Sequence, residues 1–215
     1  MKKAVIFDLD GTLVQSLPDI SASMNRVLER FGLEPHPLEA YNYMVGNGAR
    51  RLTGRAIRDR QDLLEPVYQA YVREYAAHSR ENTHVYEGIP ELLDRLRALR
   101  VPACVFSNKD DGDVANVVRY YFPQYPFAAV RGRREGVPLK PAPDGALLCA
   151  EQLGLAPGEF LYVGDTGTDM DCGSAAGMTT VGVTWGFRTA QELRDHGACR
   201  VIDRPAELID CLYMT

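Results

Sequence analysis

The chain has 215 residues, 46% hydrophobic and 25% charged, which excludes intrinsic disorder and collagen-like repeats and leaves enough length to bury a core. Lys plus Arg total 24 against 29 for Asp plus Glu, and the net charge of −5 repels phosphate backbones, so a general nucleic-acid partner is not expected. A small phosphorylated substrate stays open where a local site supplies positive charge. In chain order, Ala4-Val5-Ile6-Phe7 is a continuous apolar run and predicts a strand buried on both faces. It is too short for a secretory core and ends at Asp8, and no stretch nears the ~20 apolar residues of a membrane helix. A cytoplasmic chain without a membrane partner is therefore expected. Ile20, Met24, Val27, Leu28 and Phe31 share a helical face that stops at Gly32, and Leu63, Val67, Tyr71 and Tyr75 share another. Pro35 and Pro37 separate the two. No strand is legible from about Gln15 to Arg80, which predicts a helical insert that is either a lid or an immobile decoration.

Beyond the insert the alternation returns. Leu92, Leu93, Leu96 and Leu99 form an apolar helical stripe after Pro90, and Leu147, Leu148 and Leu153 form another, ended by Gly154. Strands are predicted over Ala103 to Phe106, Phe160 to Val163 and Thr180 to Val183. Strands alternating with helices indicate a parallel α/β sheet. The five cysteines, Cys104, Cys149, Cys172, Cys199 and Cys211, are odd in number and contain no Cys-x-x-Cys pair. They read as small buried hydrophobes in a reducing compartment.

Four segments carry chemistry. Asp8-Leu9-Asp10-Gly11-Thr12 follows the first strand directly. Two carboxylates so close repel unless a cation sits between them, or unless one attacks while the other moves a proton. Gly11 permits a sharp turn, and Thr12 can offer its hydroxyl and amide to an anion; a polar Asx-type turn is the simpler alternative. Ser107-Asn108 ends a strand with a hydroxyl suited to a phosphoryl oxygen or to a helix cap. Lys140-Pro141-Ala142-Pro143-Asp144 fixes a lysine ahead of a helix start, where it offsets negative charge or is simply solvated. Gly164-Asp165-Thr166-Gly167-Thr168-Asp169 places hard oxygen donors at another strand end, suiting Mg2+ better than zinc; an acid-rich helix N-terminus is the alternative. Ligands of open parallel sheets bind beyond the carboxyl ends of the strands, so the four segments are expected to converge.

The ordered set Asp8-x-Asp10-Gly11-Thr12, Ser107, Lys140 and Gly164-Asp165-x-x-x-Asp169 resembles the haloacid dehalogenase superfamily of phosphatases over nearly the whole chain. The resemblance implies a doubly wound parallel α/β core over residues 1–14 and 81–215, with a small helical cap domain, 15–80, inserted after the first strand. Gly46-Asn47-Gly48-Ala49-Arg50 and Val181 to Gly186 resemble segments of the phosphoglycolate phosphatase group. The resemblance further implies that Asp8 attacks phosphorus and forms an aspartyl-phosphate, while Asp10 acts as acid and then as base. Mg2+ would be held by the Asp8 carboxylate, the Asp10 carbonyl and Asp165. The phosphoryl group would be bound by Asp10, Ser107, Lys140 and the amides of Leu9 and Asn108, with Thr12 and Asp169 in support. An acid at position 10 favours phosphoryl transfer over carbon–halogen cleavage, and Gln15 departs from the acid many relatives carry there.

Arg50, Arg51, Arg55 and Arg58 crowd one stretch of the insert, and the spacing of Arg51, Arg55 and Arg58 predicts a shared face. Arg50, beside Gly46 and Asn47, is the candidate partner for a substrate carboxylate. The alternative is a solvated face balanced by Asp59, Asp62 and Glu65. The expected partner is a small phosphorylated metabolite, and the expected assembly a monomer or small homo-oligomer. A phosphomutase of the β-phosphoglucomutase type and a pyrophosphatase are neighbouring readings. A non-catalytic phosphate-binding module is the reading from another class, although binding alone needs neither a nucleophile nor a second acid.

Overall fold

A computed structural model describes residues 1–214. The chain divides into two compact units, one of residues 1–14 together with the segment that starts at Val85, the other Gln15–His84. Strand β1 (Ala4–Phe7) opens the first unit, and β2 (Val14–Gln15) leads out of it. The second unit carries α1 (Leu17–Arg30), α2 (Leu38–Met44), α3 (Ala49–Ala56) and α4 (Leu64–His78). The chain returns through β3 (His84–Val85), which pairs with β2 as a two-stranded ribbon. It continues through α5 (Ile89–Ala98), β4 (Ala103–Asp110), α6 (Asp111–Tyr121), β5 (Ala129–Arg133), α7 (Asp144–Leu153) and β6 (Phe160–Gly164). Then follow α8 (Gly167–Ala175), β7 (Thr179–Val183), α9 (Ala190–Asp195), β8 (Arg200–Ile202) and α10 (Leu208–Cys211).

Among the described residues, six strands form one parallel sheet in the order β5-β4-β1-β6-β7-β8, with Val5 opposite Ala103 on one side and Leu161 on the other. Helices cover both faces, which is why the central strands read as unbroken apolar runs. Val5, Phe7, Val105 and Val163 pack with Leu92, Leu96 and Val114 on one face. Ala4, Ile6, Phe160 and Tyr162 pack with Ala146 and Cys149 on the other. The chain order reverses at β1, with β4 and β5 to one side and β6, β7 and β8 to the other. Such a reversal opens a crevice at the strands' carboxyl ends, and the loops leaving β1, β4 and β6 become neighbours there.

In the helical unit, Ile20, Met24, Val27 and Leu28 are buried along α1, and Val67, Tyr71 and Tyr75 along α4. Two helices, α2 and α3, occupy the stretch where the sequence signals only a proline break. Asp19, near the start of α1, is 1% exposed and accepts hydrogen bonds from the Asn82 amide N–H at 2.9 Å, the Thr83 N–H at 2.8 Å and the Thr83 hydroxyl at 2.7 Å. Burial alone would raise its pKa, but the bonds from Thr83 and Asn82 win and hold it below the usual value. No helix among the described residues is long and apolar enough to cross a membrane.

Two expectations are corrected. The α7 face turned to the sheet is Gly145, Ala146, Cys149 and Ala150, whereas Leu147 is exposed and Leu148 and Leu153 are half-buried. The helix lies too close for leucines, since a Cβ on Gly145 would stand 2.3 Å from the Phe106 ring. Of the cysteines, Cys199 is exposed while the other four are buried.

Candidate active site

The site begins where β1 ends. The Asp8 amide donates to the Val163 carbonyl of β6 at 2.9 Å, so strand pairing fixes where Asp8 leaves the sheet. The chain then turns sharply, with the Leu13 amide donating to the Leu9 carbonyl at 2.9 Å and the Gly11 amide to Val14 at 2.8 Å. Gly11 has φ 87°, and a Cβ there would fall 2.2 Å from Asp165 Oδ2. A Cβ on Gly186 would fall 2.3 Å from Asp165 Cβ and 2.5 Å from the Gly11 carbonyl. Asp165, fully buried, is thus cradled between two backbones, and its Oδ2 accepts from the Phe187 amide at 2.8 Å.

Asp8, Asp165 and Asp169 each offer a carboxylate oxygen within 4.8 Å of the others, and all three are buried. Lys140, 3% exposed, stands among them: its Nζ donates to Asp8 Oδ1 and to Asp169 Oδ1, each at 2.7 Å, and to the Phe106 carbonyl at 3.2 Å. The other Asp169 oxygen accepts from the Thr166 amide at 3.1 Å and hydroxyl at 2.6 Å, capping α8. Asn108 holds the lysine's backbone, accepting from the Lys140 amide at 2.8 Å and donating to its carbonyl at 3.2 Å.

The electrostatics follow from burial. Removal from water pushes the Asp8 carboxyl up to about 7 against the pull of Lys140, with Asp169 adding to the rise. Burial, then Asp169 and Asp8, hold Asp165 well above the usual carboxylate range. Burial alone would lower Lys140, but Asp169 and Asp8 outweigh it and raise its pKa. Three buried carboxyl groups share one buried ammonium, and the raised Asp8 and Asp165 mark a cluster short of positive charge. Hard oxygen donors with surplus charge fit Mg2+.

Asp10 faces a different cation. Lys109 Nζ donates to its two oxygens at 2.8 and 2.9 Å. Nothing local in the sequence singles out this lysine, which looks like any polar residue beyond a strand. Its signal lies in the pairing of β4 with β5: Phe106 stands opposite Arg131 and Asp110 opposite Arg133, so the ladder slips between them. The slip contains Ser107, Asn108 and Lys109, and Ser107 Oγ accepts from the Lys109 amide at 3.3 Å. Trp185, inside the Val181 to Gly186 stretch, carries no legible role in the sequence; its indole N–H donates to the Thr12 carbonyl at 3.0 Å.

The α/β unit therefore gathers Asp8, Leu9, Asp10, Thr12, Ser107, Asn108, Lys140, Asp165 and Asp169 around one set of strand ends. Thr12 donates its amide to the Leu9 carbonyl at 3.3 Å and its hydroxyl to Asp165 Oδ1 at 3.4 Å, so the amide closes the turn and the hydroxyl meets a carboxylate of the cluster. Gly46, Asn47 and Arg50 belong to the helical unit. Gly46 and Gly48 adopt φ of 102° and 85°. Asn47 Oδ1 accepts from Arg55 at 2.7 Å, and Arg50 pairs with Glu65 while lying 5.6 Å over the Tyr68 ring. Arg51, Arg55 and Arg58 do not share one helical face, because α3 ends at Ala56 and Arg58 turns back with φ 55°.

A parallel α/β sheet with buried carboxylates and a buried lysine at its reversal point suits chemistry on a phosphoryl group. The family profile described as haloacid dehalogenase-like hydrolase matches residues 5–183, and the chain belongs to that family. The chain is 34% identical to a phosphoglycolate phosphatase of Chromobacterium violaceum over 98% of its length and 96% of that protein. It is 33% identical to an N-acetylmuramic acid 6-phosphate phosphatase of Pseudomonas aeruginosa, covering 98% of this chain and 94% of that one. A crystal structure from Lactobacillus delbrueckii subsp. bulgaricus, provisionally assigned as a phosphoglycolate phosphatase, matches with a TM-score of 0.93 at 28% identity, covering 99% of each chain.

Proposed function

We propose that this phosphatase is a Mg2+-dependent monoesterase that hydrolyses a small carboxylated phosphate ester through an aspartyl-phosphate on Asp8. The observation that carries this reading is Lys140 Nζ, 2.7 Å from both Asp8 and Asp169, inside an acidic cluster that leaves Asp10 to a separate cation. Asp8 would attack phosphorus while the ester P–O bond breaks and Asp10 gives its proton to the departing oxygen. Asp10 would then take a proton from water as the water's oxygen attacks the phosphorus, returning Asp8 and releasing inorganic phosphate.

At an effective dielectric near ~20, two unit charges ~4 Å apart repel by about 4 kcal/mol, so an anionic nucleophile and a phosphate must be neutralised. The Asp8 carboxylate, the Asp10 carbonyl and Asp165 would hold Mg2+, which when bound supplies positive charge beside the phosphoryl oxygens. Lys140 supplies a fixed cation, and Asp169, with both oxygens engaged, orients it. Ser107 and the amides of Leu9 and Asn108 would hold the remaining phosphoryl oxygens. The helical unit Gln15–His84 would act as the cap that limits access.

The substrate class rests on what the two named relatives share. Phosphoglycolate and N-acetylmuramic acid 6-phosphate each carry a phosphate ester and a carboxylate. Arg50 is the candidate partner for that carboxylate, exchanging Glu65 for it. The test measures inorganic phosphate released from both compounds, from sugar phosphates and from pyrophosphate, with and without Mg2+, using Asp8→Asn as the blank. Release should need Mg2+, vanish in Asp8→Asn and be fastest with the carboxylated esters. Isomerisation of a sugar phosphate without release would favour a mutase, and no turnover at all would favour a binding module. Arg50→Ala should raise KM for carboxylated esters only; an unchanged KM would remove Arg50.

A further inference from the structure

We propose that Lys109 is the positioning residue of Asp10: its ammonium, bonded to both carboxyl oxygens, fixes the place and plane of the group that meets the departing oxygen of the substrate. The inference rests on Asp10 being the acid of the first step, as read above.

Three observations carry it. The contact is two-pronged, at 2.8 and 2.9 Å, and both side chains are largely withdrawn from water, 10% exposed for Lys109 and 18% for Asp10. A solvated lysine would gain little from such a pair, whereas here the geometry leaves Asp10 few other orientations. The backbone that carries Lys109 is itself held. A Cβ on Gly132 would come within 2.6 Å of the Lys109 carbonyl and 2.7 Å of the Asp111 nitrogen, so β5 presses directly on the slipped segment of β4. The Gly132 amide also donates to Asp111 Oδ1 at 2.9 Å, closing that segment from the other side. Finally, the two lysines divide the acids: Lys140 serves Asp8 and Asp169, and Lys109 serves Asp10. The nucleophile and the acid are thereby held by different elements and cannot compete for one cation.

The consequence concerns proton transfer. As Asp10 gives its proton to the departing oxygen, negative charge forms on a carboxylate already facing an ammonium, with nothing left to reorganise. This matters for an alkyl ester, whose alkoxide leaves poorly unless protonated. It matters little for a nitrophenyl ester, whose phenolate leaves without help. The ratio kcat/KM reports the step up to loss of the leaving group, so the two classes should respond differently.

The experiment compares the full-length protein with Lys109→Met, Lys109→Gln and Lys109→Arg on phosphoglycolate, glycerol phosphate and 4-nitrophenyl phosphate, with thermal midpoints recorded for each. Lys109→Met and Lys109→Gln should lose about tenfold or more in kcat/KM on both alkyl esters, a part of the roughly 10²–10⁴-fold that acid catalysis supplies, and less than about threefold on the aryl ester. Lys109→Arg, which keeps a two-pronged donor, should recover most of the loss. Equal losses on all three esters would overturn the proposal in favour of a structural role. A rise in KM limited to phosphoglycolate would overturn it in favour of direct contact with the substrate carboxylate. A wild-type protein inactive on all three would instead bring down the proposed function, and this inference with it.

Discussion

The indole of Trp185 donates to the Thr12 carbonyl at 3.0 Å, joining the loop after β7 to the loop after β1. Thr12 in turn faces Asp165, and Asp165 is held by the amide of Phe187, two residues beyond the tryptophan. The three loops form one closed circuit behind the acidic cluster. Trp185→Phe keeps the ring and removes the bond. It should cost about 1 kcal/mol of stability by denaturant unfolding and lower kcat several-fold, because the nucleophile's loop loosens. An unchanged kcat would show that the circuit is held without the indole.

Lys140 is buried with Asp8 and Asp169 on either side. Lys140→Met leaves two buried carboxylates without their cation and should cost about 3–5 kcal/mol, with activity lost. Combining it with Asp8→Asn removes one of the stranded charges. The double variant should be more stable than Lys140→Met alone, a coupling that a double-mutant cycle in urea measures. Simple additivity would mean that the cluster relaxes or protonates at little cost.

Cation binding gives a readout independent of turnover. A ligand that binds only the folded chain at a hundredfold excess over Kd stabilises it by about 2.7 kcal/mol, roughly 5–10 °C in Tm for a chain of this size. Mg2+ should produce such a shift in the wild-type protein and little in Asp165→Asn. An equal shift in both would place the ion elsewhere.

Asp19 makes the helical unit acid-sensitive. Its pKa is lowered in the folded state, so its stabilisation is fully present above the unfolded value of 3.8 and is lost as pH falls through the folded value. Asp19→Asn loses acceptors for the Asn82 and Thr83 donors at any pH. The variant should be less stable than wild type by about 1–3 kcal/mol at pH 6, and the gap should close on going below pH 3.8, as followed by thermal unfolding. A gap constant with pH would mean that Asp19 acts through packing rather than charge.

The parts of the fold visible in the sequence are those where burial is complete on both sides. Ala4–Phe7 and Phe160–Gly164 sit under helices on each face, so every position had to be apolar and the runs stand out. The edge strands β5 and β8 are only half covered, and Ala-Val-Arg-Gly-Arg and Arg-Val-Ile carry no such signature. Helix α7 misled for the opposite reason. Its leucines are the residues that stand out, yet close approach to Phe106 selected the small ones. Asp8, Asp10 and Asp165 were legible as candidates because paired acids at strand ends have no purpose in folding. Lys109 was not, since a lysine past a strand is common and its direction depends on a slip in pairing with a strand twenty residues on.

The sequence by itself determined the alternation of strands and helices, the helical character of the stretch after the first strand, and the chemical types available at each strand end. These are local properties, set by periodicity and by the cost of burying charge. Which acid meets which cation was decided only by the tertiary structure. Lys140 reaches Asp8 across 132 positions and Lys109 reaches Asp10 across 99, and these pairings depend on strand order, register and a two-glycine cradle around Asp165. Charges interact through space over a few ångströms, and distance along the chain says nothing of that until the sheet has closed.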